Sequence, residues 1–239
     1  MELVGYGERL VVGVIDVQRG FTPAEEGERL GLEGFGELPV PHAEEVVEPI
    51  NRLLAALALK DTPKKFVFTT QDWHKEPTAH FSDNPDFVNS WPRHCVAGEL
   101  GAALHPKLLI PLDLPHEKFY KGYERLREGE EDLSYSGYYA VDLDGVEALG
   151  DRGGYYAGSR LRDRLYPEDK VILTGVALEK CLGLTALDLR IKKGMDVTVA
   201  LDATRPITEE GAVEMLRRFE EAGVTVSDTE TLIAQYLEA

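Results

Sequence analysis

The residues best suited to chemistry in this 239-residue chain fall into tight groups. Asp72, His74 and His80 lie within one short stretch and His94 follows in the same segment, which thereby holds three of the 6 histidines. Imidazole and carboxylate together are ligands for zinc, iron or manganese. If Asp72 extends the strand before it, Asp72 and His74 point to the same side. Without a metal, the same histidines are exposed side chains of a polar loop. Cys181 opens a predicted helix, where unpaired amides and the helix dipole favour a thiolate and offer donors to a developing oxyanion. Its alternative is a buried structural cysteine. Asp16 ends an apolar strand, a placement that raises a carboxyl pKa and suits it to proton transfer, or that simply caps a loop. Lys121 is the candidate partner for Asp16 and the thiolate, with Lys118 as its rival, or else a solvated surface lysine. Cys95 directly follows His94. Neighbours on an extended segment point to opposite sides, so Cys95 reads as a small buried residue and not as a ligand.

These residues need elements that bring them together. Leu10 to Ile15 is a near-continuous β-branched run, expected to be a strand buried on both faces. Thr22 to Pro41, rich in Gly, Glu and Pro, reads as a loop. Ala43 to Leu59 carries apolar residues at helical spacing. Lys65 to Thr70 is a second strand, and Lys75 to Leu100 a long functional loop. A short strand is expected at Glu117 to Tyr120, then a charged surface excursion from Gly122 to Ser136. Val171 to Gly175 is a buried strand, followed by a helix from Leu178 to Lys192 that Gly194 ends. Val197 to Leu201 is a strand, Thr208 to Ala222 an amphipathic helix, Val224 to Val226 a last strand, and Asp228 the cap of a final helix. Strands alternating with helices imply an α/β protein of three layers, α/β/α, with a mostly parallel open sheet flanked by helices. No repeat or linker divides the chain, so one domain over residues 1–239 is expected. In such sheets ligands bind beyond the carboxyl ends of the strands, where Asp16, Asp72 and the Val176 to Cys181 segment all fall.

Composition narrows the class. The chain is 43% hydrophobic and 29% charged, as soluble globular proteins are. A formal net charge of −17 repels phosphate backbones, which argues against nucleic acid and leaves a small molecule as the expected partner. The first apolar run is too short for a signal sequence or a membrane span, so no membrane partner is expected. Two cysteines make no disulfide framework, and the expected location is the cytoplasm. A homo-oligomer is left open.

Together the motifs resemble the nicotinamidase branch of the isochorismatase-like hydrolases. The resemblance runs from Leu10 to about Val226 in five blocks in order. They are Val14-Ile15-Asp16-Val17-Gln18 with Phe21; Gln71-Asp72-Trp73-His74 with His80-Phe81; Trp91 to Gly98; Phe119-Tyr120-Lys121-Gly122 with Tyr135-Ser136-Gly137; and Gly175-Val176-Ala177, then Cys181, then Thr185 to Asp188. The chain departs from the family pattern at Arg19-Gly20, where Asn-Asp is common, and at Glu99, where Thr is usual. Gly122 to Leu133 looks like an insertion.

The resemblance implies the isochorismatase-like hydrolase fold, a metal-dependent cysteine amidohydrolase, and an activity that turns nicotinamide into nicotinate and ammonia in NAD salvage. It implies a catalytic triad of Asp16, Lys121 and Cys181, and an oxyanion hole from the Ala177 and Cys181 amides behind a cis Val176-Ala177 peptide. It implies one divalent metal, zinc before iron or manganese, on Asp72, His74, His80 and His94, and a substrate pocket from Phe21, Trp91, Tyr135 and Val176. Nicotinamide or pyrazinamide-like analogues are then the expected substrates. The alternatives are a family amidase for a carbamoyl or ureido amide, and a catalytically silent metal- or ligand-binding protein.

Overall fold

The run Leu10–Ile15 forms a strand, β1, whose side chains divide by parity. Val12 and Val14 enter one apolar cluster and Val11 and Ile15 another, which is why the run is apolar at every step. The computed structural model describes residues 8–62, 64–123, 135–142 and 159–237. After β1 come α1 (Ala24–Leu30), α2 (Val47–Leu59), β2 (Lys65–Asp72), β3 (His116–Lys121), the single turn α3 (Leu161–Arg164), β4 (Lys170–Val176), α4 (Gly183–Lys193), β5 (Asp196–Arg205), α5 (Glu209–Ala222), β6 (Thr225–Ser227) and α6 (Thr229–Tyr236).

The strands form one sheet in the order β3-β2-β1-β4-β5-β6, and every neighbouring pair is parallel. The sheet is thus wholly parallel where a mostly parallel one was expected. Helices α2 and α6 supply Leu53, Leu54, Leu57 and Leu232 to the face that holds Val12 and Val14. Helices α4 and α5 supply Ala186, Leu189, Met215 and Phe219 to the face that holds Val11 and Ile15. Three layers result. The order reverses beside β1, whose neighbours β2 and β4 are reached by crossovers in opposite directions. That reversal opens a crevice at the carboxyl ends of β1, β2 and β4.

Several boundaries differ from the sequence reading. The Thr22 to Pro41 segment contains the helix α1, closed by Gly31 in the left-handed region. Strands β2 and β3 run on to Asp72 and Lys121. Strand β5 reaches Arg205 past an irregularity in its register with β4 between Leu173 and Gly175, which alternation alone does not reveal. The helix expected from Leu178 starts as a wide turn over Leu178–Leu182, in which Lys180 leaves helical geometry, and becomes α-helical from Gly183. Thr208 and Asp228 cap α5 and α6 by accepting the amides of Gly211 and Thr231. Of the Gly122 to Leu133 insertion, residues 124 onward lie outside the described residues. No helix among the described residues is long and apolar enough to cross a membrane.

Leu53 lies on the buried face of α2 with no exposed surface. Leu53→Ala should cost about 2–5 kcal/mol, the usual range for a buried leucine truncation. In urea the unfolding midpoint should fall with the slope unchanged; a midpoint within error of the parent would show that α2 does not depend on this contact.

Candidate active site

The sheet ends deliver the chemical residues one by one. Asp16 follows the last residue of β1, where the chain turns at a φ of 50°. Asp72 and Lys121 are the last residues of β2 and β3 and stand opposite each other in the ladder. Val176 ends β4, the Val176–Ala177 peptide is cis, and Cys181 follows in the wide turn. Gly175 takes a φ of 106°, and a Cβ there would stand 2.0 Å from the Ile15 carbonyl oxygen, so only glycine lets β4 pass β1 at this point.

Lys121 is 1% exposed and Asp16 and Cys181 are 0% and 7% exposed. The Lys121 ammonium lies 2.7 Å from Asp16 Oδ2, donates to Cys181 Sγ at 3.2 Å, and pairs closely with Asp72 Oδ1. Thr70 donates its hydroxyl to Asp16 Oδ1 at 2.7 Å. The rival Lys118 is exposed on the same strand.

The two carboxylates are driven apart. Burial pushes the Asp16 carboxyl up and the Asp72 charge adds to it, which together outweigh Lys121. Burial also opposes ionisation of Asp72, but the adjacent Lys121 charge leads the interactions that hold it well below the usual carboxylate range. Such divergence separates a carboxylate able to take up a proton from one that stays charged. Burial disfavours the Lys121 charge, yet Asp16 and Asp72 hold its pKa well above the ordinary value. Cys181 corrects the sequence expectation. Burial, with Asp16 and Asp72 behind it, raises the thiol well above its ordinary value despite Lys121. These surroundings favour the thiol over the thiolate at Cys181.

The ligating atoms of His74, His80 and His94 lie within 4.8 Å of one another, and all three side chains are buried. Phe81 packs edge-on against His74 and His94. His74 Nδ1 lies 3.0 Å from the Gly122 carbonyl and His94 Nδ1 lies 2.7 Å from the Pro92 carbonyl. A carbonyl only accepts, so each ring carries a proton on Nδ1, and in the neutral ring that leaves an Nε2 lone pair turned inward. Those Nε2 atoms lie 3.6 and 3.9 Å from Asp72 Oδ2, and His74 Nε2 is buried without a hydrogen-bond partner. Lone pairs facing a carboxylate with no proton between them repel unless a cation joins them. Burial and the neighbouring His74 push His94 down to about 3, so its ring is neutral and ready to ligate. The residues present therefore fit a divalent metal. Cys95 stays outside this cluster, its Sγ facing the Gly101 carbonyl at 3.6 Å.

A cavity of about 300 Å³ joins the two clusters and is lined by Phe21, Trp91, Tyr135, Val176, Ala177 and Cys181, with Asp72, His80 and His94 at one side. The size is at the small end of the roughly 300–1,000 Å³ typical of ligand sites. Trp91 donates Nε1–H to the Tyr135 hydroxyl at 2.7 Å, fixing both rings. The sequence reading missed Leu38, Val40, Lys180 and Ile207 on the walls. It also gave no role to Gln18, whose side chain accepts the Asp72 amide and donates to the Asp72 and Ala102 carbonyls. The Gln18 signal was present, in the first motif block; Leu38 and Val40 sit in an aperiodic loop that carries none.

Among proteins of known function, the nicotinamidase/pyrazinamidase of Mycobacterium tuberculosis is 31% identical over 211 residues, which cover 88% of this chain and 94% of that protein. Among solved structures, a nicotinamidase/pyrazinamidase of Acinetobacter baumanii superposes with a TM-score of 0.69 at 26% identity, covering 94% of this chain and 98% of that one. The pyrazinamidase of Pyrococcus horikoshii in complex with zinc gives 0.63 at 25% identity, over 92% and 99% of the two chains. No protein-family model matches the chain.

His94 gives the metal-free protein a pH signature. Its folded pKa, about 3, lies below the ordinary 6.5, so the unfolded chain takes up the proton first as pH falls. Stability is fully present above about 6.5 and is lost between there and about 3. Roughly 1–2 kcal/mol of the loss between pH 7 and 5 should vanish in His94→Gln. Denaturant midpoints of both proteins with metal removed test this; parallel pH profiles would contradict it.

Proposed function

The chain belongs to the nicotinamidase branch of the isochorismatase-like hydrolases, and from that premise we propose that it hydrolyses nicotinamide to nicotinate and ammonia, a step of NAD salvage. The observation that carries the reading is the buried Lys121 ammonium shared by Asp16, Cys181 and Asp72, beside histidines whose lone pairs converge.

The cavity takes the pyridine ring between aromatic walls, with the amide carbon at Cys181 Sγ. Asp72, His74, His80 and His94 would hold one divalent ion, for which the donor set and the zinc in the Pyrococcus protein favour zinc. When bound, the ion supplies a Lewis-acid partner for the ring nitrogen. Asp16 takes the Cys181 proton, and its raised pKa makes it a better acceptor than an ordinary carboxylate. The thiolate adds to the amide carbon, and the Ala177 and Cys181 amides hold the oxyanion, at a cost of about 3–4 kcal/mol in barrier if one donor is lost. Asp16 then protonates the leaving nitrogen, so that ammonia departs and a thioester on Cys181 remains. Water attacks the thioester as Asp16 removes its proton. The proton returns to Cys181 Sγ and nicotinate is released. Lys121 stays charged throughout, holds Asp16 against Sγ and balances the negative charge that moves between them. Pyrazinamide-like amides share the ring and the leaving group and are expected substrates.

Ammonia release from nicotinamide should be seen with the zinc-loaded protein, vanish in Cys181→Ala, and be lost on chelation and regained on adding zinc. Zinc-loaded protein that releases no ammonia would sink the assignment. Asp16→Asn, which keeps the shape but accepts no proton, should lower kcat/KM about 10²–10⁴-fold, the usual contribution of a general base. A loss smaller than tenfold would assign the proton to another group.

A further inference from the structure

We propose that Glu37, from the loop that walls the cavity, is a positioning residue for the metal seat, acting through Cys95. The proposal rests on the reading that His74 and His94 are metal ligands.

Cys95 links these two histidines through the backbone. It directly follows His94, and its own φ is 44°, the left-handed region that non-glycine residues rarely adopt. Its carbonyl accepts the His74 amide at 3.1 Å, and the His74 carbonyl accepts the Ala97 amide at 2.9 Å. The peptide groups around Cys95 therefore set the backbone of both ligands. What holds Cys95 is not local. Its amide donates to Glu37 Oε2 at 2.7 Å, across 58 residues of sequence. Cys95 has no exposed surface, so this amide has no ready exchange with water. A charged acceptor makes a short, strong bond there.

The surroundings are shaped around that carboxylate. A Cβ at Gly101 would lie 1.9 Å from Glu37 Oε2, and one at Gly20 would lie 2.9 Å from it. Gly20 is one of the positions at which the chain departs from the family pattern. A side chain there would contest the space that Glu37 now fills. Glu37 is itself fixed by a ladder beside Phe21. The Gly36 amide donates to Thr22 O at 2.8 Å, Leu38 to Gly20 O at 2.9 Å, and Val40 to Phe21 O at 2.8 Å. Phe21, Leu38 and Val40 all line the cavity. One carboxylate thus ties the ring-binding wall to the backbone of two metal ligands.

The test is a zinc titration of metal-free protein against a chromophoric chelator, together with steady-state kinetics at saturating zinc. Glu37→Ala leaves the Cys95 amide without its acceptor, and its zinc affinity should fall about 10–100-fold, the range for loss of an outer partner of a metal site. Its loss in turnover should fall on KM more than on kcat, because the wall loosens while Asp16, Lys121 and Cys181 keep their places. Glu37→Gln retains an acceptor oxygen and should restore zinc affinity close to the parent. If Glu37→Ala does not fold, Glu37→Asp carries the same expectation, since it keeps the charge but withdraws it by one methylene. Zinc affinity equal to the parent in whichever of these two folds would overturn the proposal, as would a Glu37→Gln protein as weak as Glu37→Ala. A parent chain that binds no zinc would instead overturn the metal reading.

Discussion

The buried Lys121 ammonium is the interaction on which the site depends. It is shared by Asp16, Asp72 and the Cys181 thiol, all of them buried. One positive charge faces two carboxylates, so the cluster keeps a residual negative charge while the thiol is protonated. Burying charge is costly unless it is paired, and either a proton on Asp16, whose carboxyl is pushed up, or a further cation nearby relieves the imbalance. The histidine lone pairs beside Asp72 Oδ2 are where such a cation fits. Asp72 belongs to both halves, with Oδ1 on Lys121 and Oδ2 toward His74 and His94. The Lys121 cluster and the histidine cluster are thus electrostatically coupled through Asp72.

The fold makes this sharing possible through its topology. Four neighbouring parallel strands end at one rim, and each brings one charged or nucleophilic residue there at its terminus or just past it. The alternation that buries Phe119 also buries Lys121, two residues on, because the strand period is two. The sheet thus points a lysine inward by the same rule that fills the core, and the carboxylates meet it there.

Much of this was legible in the residues. The apolar runs of β1, β2 and β4 show as strands buried on both faces, because a parallel sheet with helices on each side leaves no polar face to interrupt them. Asp16, Asp72 and Cys181 could be placed at strand ends for the same reason. Lys121 could be singled out from Lys118 only through the family motif, since its burial depends on how far β3 runs. The helix α1 was missed because its short stretch is dominated by Glu and Gly. The thiol was misjudged because a helix start favours a thiolate, whereas Cys181 is buried beside the carboxylates of Asp16 and Asp72. Leu38, Val40 and Glu37 lie in a segment without periodicity, and their contacts are made across dozens of residues, where no local pattern records them.

The placement of β4 has a consequence for how the chain becomes an enzyme at all. β1 pairs with β4 in register from Leu10 with Lys170 to Ile15 with Gly175, so the middle of the sheet closes only when the two partners most distant in sequence meet. Parallel pairings of such separation carry a large loop-closure cost and slow folding. On the ribosome, β1, β2 and β3 emerge long before the strand that brings Cys181. Until β4 docks, Asp16 and Lys121 stand apart from Cys181. The cluster of Asp16, Lys121 and Cys181 is therefore assembled in one step, with completion of the sheet.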